Sequence, residues 1–210
     1  MALDAKGYFQ HLKSYLNLDY YATFPNMHGE LKLKEKIFTT DGEKEIVVKL
    51  LVDGEAFAIK LDKEPEKGKK NKGQRGNHMP LFHFLDDQGK PWSRRCDFII
   101  FHLYKNKIKV YCFEFKYKSL PADSVVAQLK SSENWCKSLY SIINIYTSQK
   151  KRLNLTKYAL TYCEKEKAAV YLDEDNKYLA KDPSIRHYHY DEIDGMALHD
   201  LEHETVETIG

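Results

Sequence analysis

Four charged side chains interrupt the most apolar part of the chain, "RRCDFIIFHLYKNKIKVYCFEFKYKS" at residues 94–119. Asp97 and Glu114 each sit inside an apolar run. Lys116 follows Glu114 by two residues, and Lys118 lies two further on. Side chains alternate across a strand, so Cys112, Glu114 and Lys116 share one face while Phe113, Phe115 and Tyr117 share the other. An antiparallel hairpin turning at "KNK" brings Asp97 level with Glu114 and Lys116 at its open end. Two carboxylates placed together lose hydration and repel, so one must take a proton or a cation must lie between them. Oxygen donors with room for water suit Mg²⁺, and a lysine on the same face adds a charge for a phosphate or an attacking water. That combination is suited to phosphodiester hydrolysis. Taken singly, each charge is explained by an ion pair at a strand end. The set is not, because buried charge is costly.

The elements that must position these residues follow from pattern. Residues 4–18 carry a helical period, with Tyr8, Leu12, Tyr15 and Leu16 on one face, Phe9 beside it and Asp4 as N-cap. Residues 28–62 read as an antiparallel strand meander with "DG" turns, and its neighbour "DKEPEKGKKNKGQRGNH" as a loop. "MPLFHFL" (79–85) reads as a short strand, and 95–104 with 108–117 as the hairpin. Its aromatic face is expected to pack on a helix. From Pro121 to about 147 the apolar period becomes helical, through Val125, Leu129, Trp135, Leu139, Ile142 and Ile143. "LTKYALTYC" (155–163) and "IRHYHY" (185–190) read as strands. Strands and helices in this order imply one domain with a mixed α/β, or α+β, sheet and helices packed upon it.

The sequence pattern "CD" at 96–97 and "EFK" at 114–116, with sixteen residues between the acids and then a long amphipathic helix and a strand, resembles the PD-(D/E)XK nuclease superfamily. The resemblance covers about residues 95–163, with the N-terminal helix a weaker match, and implies a restriction-endonuclease-like core. It implies that Asp97 and Glu114 are metal ligands, that the main-chain carbonyl of Phe115 is a third, and that Lys116 is the catalytic lysine. It also implies that Gln128 on the following helix places the lysine or the substrate. Cys96 stands where the name motif has Pro. Many members carry a glutamate on the first helix; here residues 4–18 hold only Asp4 as an acid, and among Glu30, Glu35 and Glu55 the further ligand is assigned to Glu30. The implied activity is Mg²⁺-dependent hydrolysis, with Mn²⁺ as substitute, of nucleic acid and of DNA before RNA, in restriction, repair or phage defence. The alternatives are a catalytically weak or inactive nucleic-acid-binding module on the same fold, or an interaction subunit.

Composition sets the frame. The chain has 210 residues, 42% hydrophobic and 30% charged, with a net charge of +2. That is a globular composition, and its near-neutral total names no partner. The distribution is more informative. The loop at 63–78 contributes Lys69, Lys70, Lys72 and Arg75, and Arg94 and Arg95 abut Asp97, all suited to nucleic-acid phosphates. The loop fails as a phosphate-binding GxxxxGK[ST] motif, because Gln74 and Arg75 stand in place of its Lys and Ser/Thr. "HDLEH" has two histidines at zinc-motif spacing, but Asp200 replaces the glutamate and a third ligand is missing. Cys96, Cys112, Cys136 and Cys163 are too dispersed for a zinc knuckle and read as buried thiols of a reducing cytoplasm. No uncharged apolar run is long enough to span a bilayer, and no secretory signal pattern is seen, so a cytoplasmic protein with no membrane partner is expected. The expected domain plan is an N-terminal helix (1–20), meander (28–62), basic loop (63–78), catalytic core (79–163) and C-terminal elaboration (164–210). A homodimer or larger complex remains open.

Overall fold

A computed structural model of the chain describes residues 3–39, 42–61, 90–201, 203 and 207–209. The basic loop with Lys69, Lys70, Lys72 and Arg75, the expected strand at 79–85 and Glu202 lie outside the described residues. The helices are α1 (Ala5–Tyr15), α2 (Leu18–Tyr21), α3 (Ala122–Thr147), α4 (Lys165–Ala169) and α5 (Tyr190–Ile193). The strands are β1 (Ala22–Thr23), β2 (Glu30–Thr39), β3 (Gly42–Leu51), β4 (Glu55–Lys60), β5 (Phe98–Tyr104), β6 (Lys107–Lys116), β7 (Leu153–Thr161), β8 (Tyr178–Leu179), β9 (Asp182–His189) and β10 (Glu207–Ile209).

A mixed sheet runs β1-β4-β5-β6-β7-β9-β8, with β10 also pairing β7. β4, β5 and β6 are antiparallel neighbours, whereas β6, β7 and β9 are parallel. Parallel neighbours need a crossover, and α3 supplies it between β6 and β7. The β5–β6 hairpin turns on Lys105 and Asn106, both at positive φ (45° and 58°). That is the backbone a two-residue type I′ turn requires, and it keeps the right-handed twist of the flanking strands.

Each face of the sheet has its own core. On one, Ile99, Phe101, Val110, Cys112 and Leu155 pack under α1 (Tyr8, Phe9, Leu12) and α3 (Val125, Leu129, Cys136, Ile143). α1 begins as the sequence implies, with Asp4 Oδ1 accepting from the Gly7 N–H at 2.7 Å. Tyr15, expected on the buried face, is 42% exposed at the last position of the helix. Ile142 is likewise exposed on the outer side of α3.

The opposite face corrects two expectations. Phe98, Ile100, Tyr111 and Phe113 pack on Leu31, Leu33, Val48 and Leu50 of the β2–β3 hairpin and on Ile193 and Leu198. The β2–β3 hairpin, together with Ile193 of the short helix α5, therefore packs on the aromatic face where a helix alone was expected. β2 and β3 pair with each other as a two-stranded sheet, while β4 joins the main sheet, so residues 28–62 are not one meander. The chain changes layer at Gly54, whose φ of +94° suits glycine. A Cβ there would lie 2.7 Å from the Leu103 carbonyl oxygen. The alternation of β2 and β3 shows which side is buried, but not which layer receives it. All four cysteines are buried and free, and burial raises the Cys96 thiol well above its usual range. Among the described residues no helix is long and apolar enough to cross a membrane.

Candidate active site

The site forms where β5 begins. Phe98 pairs with Phe113, so the register carried back one residue sets Asp97 opposite Glu114. The backbone ladder stops there. The Cys96 N–H turns away to Ser132 Oγ (2.7 Å), and the Ser132 hydroxyl in turn donates to the Gln128 carbonyl (3.0 Å). The Asp97 carboxylate replaces the missing ladder partner: the Phe115 N–H donates to its Oδ2 at 2.6 Å. The acid thus closes the strand end as well as carrying charge.

Backbone direction follows from the same bonds. The Lys116 carbonyl accepts from the Tyr162 N–H at 2.9 Å, so it faces the β7 side. Strand groups alternate, so the N–H and C=O of Phe115 both face the β5 edge, where Asp97 lies. The carbonyl expected as a third ligand is therefore on the correct edge.

Glu114 and Lys116 occupy the helix-covered face, in line with Cys112. Glu114 is 1% exposed and Asp97 is 9% exposed, so both acids are held out of bulk water. Lys116 Nζ pairs with Glu114 Oε1 and donates to Gln128 Oε1 at 3.0 Å. Gln128 Oε1 also accepts from Ser124 Oγ at 3.0 Å, and its Nε2 donates to the Arg95 carbonyl at 3.2 Å. With an acceptor bond at one end and a donor bond at the other, the amide is fixed in orientation, and it fixes the lysine. Asp97, Glu114, Lys116, Gln128 and the Phe115 backbone are brought together. An open cleft of about 560 Å³ is lined by Ser93, Arg94, Arg95, Asp97, Asp123, Ser124 and Gln128, so Asp97 and Gln128 are the members of this set on its wall.

Other sequence candidates go elsewhere. The Glu30 carboxylate accepts from Asn26 Nδ2 (3.1 Å), pairs with Lys32 (3.7 Å) and lines a separate groove with Lys60 and Phe98. The structure does not bring it to the Asp97 cleft. Arg95 is buried and donates to the carbonyls of Ser93 (3.0 Å) and Leu61 (3.1 Å), so it braces backbone. Arg94 is exposed on the cleft wall and makes no ion pair among the described residues. Lys118 lies beyond the end of β6 and is exposed.

Two groups escape a sequence reading. Ser124 and Ser132 are unremarkable helix serines until α3 is docked. Thr161 pairs with Lys116 across β6–β7, and its hydroxyl meets His187 Nε2 at 2.8 Å. Burial pushes His187 down to about 4, which keeps the ring neutral at pH 7. The alternation in "RHYHY" places His187 and His189 on one strand face, but only the parallel β6-β7-β9 order sets them beside the site. On α3, Glu133 is fully buried and contacts Lys130, Lys137 and Lys157. Burial alone would raise its carboxyl, yet the hydrogen bonds from Lys137 and Lys130 outweigh burial and hold it low. This is an ion cluster under the helix, further along it than the Asp97 cleft.

The two carboxylates and the Phe115 carbonyl are all hard oxygen donors, the kind that Mg²⁺ takes. Among the described residues no three His, Cys, Asp or Glu side chains form a metal-sized group. Mg²⁺ does not need three, since it takes one or two carboxylates and keeps several waters. No protein-family model, curated protein or solved structure matches the chain.

Proposed function

We propose that the chain is a Mg²⁺- or Mn²⁺-dependent nuclease that hydrolyses phosphodiester bonds of nucleic acid, with DNA as substrate. The observation that carries this reading is a set of contacts beside one open cleft whose wall includes Asp97 and Gln128: Asp97 on the Phe115 N–H, Glu114 on Lys116, and Lys116 on Gln128. An ion pair serving stability alone needs neither the second acid nor a glutamine that orients the ammonium.

Asp97, Glu114 and the Phe115 carbonyl would hold the ion. When bound, it supplies a more acidic coordinated water and offsets charge on the phosphoryl oxygens. The chain's own groups perform the remaining work. Lys116 has three N–H donors, and Glu114 and Gln128 take two. The third can reach a phosphate oxygen or the attacking water. Negative charge grows on the phosphoryl oxygens in the transition state, so an ammonium already fixed in place binds that state better than the ground state. Gln128 is a positioning residue, acting through Lys116. Arg94 gives the cleft wall a cation for backbone phosphates, without sequence preference.

The test is cleavage of plasmid and single-stranded DNA in Mg²⁺ and Mn²⁺. The expected result is cleavage by the wild type and a loss of roughly 100-fold or more with Asp97→Asn, Glu114→Gln or Lys116→Met, each folded by circular dichroism. Cleavage by Glu114→Gln at the wild-type rate would sink the assignment. DNA binding without cleavage, across both metals and both substrates, would support the binding module instead.

A further inference from the structure

A second cleft, of about 420 Å³, adjoins the first along α3. One wall is a stripe of the helix carrying Ala127, Ser131 and Asn134. The other is the 3-10 turn Pro91–Ser93, fastened to α3 by the Ser131 hydroxyl donating to the Pro91 carbonyl at 3.2 Å. The chain has two tryptophans, and both line this cleft. Trp92 is 38% exposed, and Trp135 is partly buried against the helical core. Among the described residues neither indole stacks on another ring.

The charged residues lining the cleft are Arg94 and Lys130, with no acid among the described lining residues. Lys130 is tied to Glu133, whereas Arg94 makes no ion pair among the described residues. Arg94 also lines the Asp97 cleft, so the two clefts meet at this side chain. From Gln128 to Trp135 is seven residues, about 10 Å of helix. A strand lying along α3 passes from one cleft to the other.

We infer that this cleft is a nucleobase subsite. It takes an unpaired base of the substrate strand on the indoles of Trp92 and Trp135, while Arg94 binds the phosphate linking that nucleotide to the one at Asp97. The inference rests on the nuclease reading and narrows it to substrates with an unpaired base, such as a single strand, a frayed end or a flipped nucleotide. Indole faces stack on any base, and a base within an intact duplex is already stacked on its neighbours. Asn134 is exposed beside the rings and offers an amide donor and acceptor to a base edge.

The experiment is fluorescence anisotropy of a short labelled oligothymidylate titrated with the full chain in chelator, where no metal-dependent hydrolysis intervenes. Trp92→Ala and Arg94→Ala are each expected to weaken binding by roughly tenfold, and a blunt duplex at equal phosphate concentration to compete poorly. Both side chains are exposed, and thermal melting checks that the variants fold. Binding by both variants within about twofold of wild type overturns the subsite, and so does equal competition by the blunt duplex. The outcomes separate the two proposals. A chain that binds through Trp92 and cleaves nothing keeps the subsite and loses the nuclease reading. A chain that cleaves single strands with a KM unchanged by Trp92→Ala keeps the nuclease and loses the subsite.

Discussion

Replacing Lys116 by Met asks whether the ammonium and a metal ion share one carboxylate. Met keeps the length of the stem and removes the charge. Glu114 is 1% exposed, so its oxygens depend on protein partners, and Lys116 Nζ is one of them. Deleting one partner of a buried ion pair typically destabilises by about 3–5 kcal/mol. The Lys116 side chain is 19% exposed, which screens the pair and places the expected loss near the lower end, at about 3 kcal/mol. Urea unfolding in chelator, followed by circular dichroism, measures this as a lower midpoint at unchanged slope. A cation on Glu114 substitutes for the missing charge. At a hundred times its dissociation constant it returns about 2.7 kcal/mol. Mg²⁺ should therefore stabilise Lys116→Met more than the wild type, in which the ammonium competes for the same oxygen. A variant that unfolds at the wild-type midpoint in chelator would refute the ion pair as a support for Glu114. Equal stabilisation of both proteins by Mg²⁺ would refute the shared carboxylate.

Two other outcomes are expected. Gln128→Leu removes the acceptor from Lys116 and leaves the Arg95 carbonyl without its amide donor. It should lower kcat by roughly tenfold or more while KM changes less, because a hydrogen bond to a charged group is worth about 1.5–3 kcal/mol; an unchanged kcat with a raised KM would instead make Gln128 a substrate contact. His187 is lowered from 6.5 to about 4 by burial. The unfolded chain therefore takes up a proton before the folded one does, and stability falls as pH drops from 6.5 toward 4, by roughly 2–3 kcal/mol at pH 4.5 for this group. His187→Asn should remove that part of the acid sensitivity in urea titrations at pH 7 and pH 4.5, and identical pH slopes would show that the ring does not stay neutral in the fold.

The hairpin, α3 and the convergence of Asp97, Glu114 and Lys116 were legible in the sequence because strand and helix periods fix faces directly. Asp97 and Glu114 stand out for the same physical reason: an acid in an apolar run is an expensive exception. What periodicity omits is the identity of the neighbour. Leu31, Leu33, Val48 and Leu50 alternate correctly, yet nothing local says that their hairpin lies over the aromatic face rather than beside β4. His187 and Thr161 flank the site only through parallel pairing, which is set by the crossover and the sheet order. Arg95 carries the same charge as Arg94, but burial makes one a brace for two carbonyls and leaves the other on the cleft wall. Glu30 shows the converse limit. Its assignment came from the resemblance, and the fold ties it to Asn26 and Lys32 instead.

The dual use of the Asp97 carboxylate bears on how such a chain can drift. Its Oδ2 finishes the β5 edge by accepting from the Phe115 N–H, so the position demands an acceptor oxygen whether or not it binds an ion. Asn supplies that oxygen without the charge, and a single-base transition in either aspartate codon produces it. Loss of the anion is therefore separable from loss of the sheet in one mutational step. On the proposed nuclease reading, a folded protein that grips nucleic acid and no longer cuts it lies one base away.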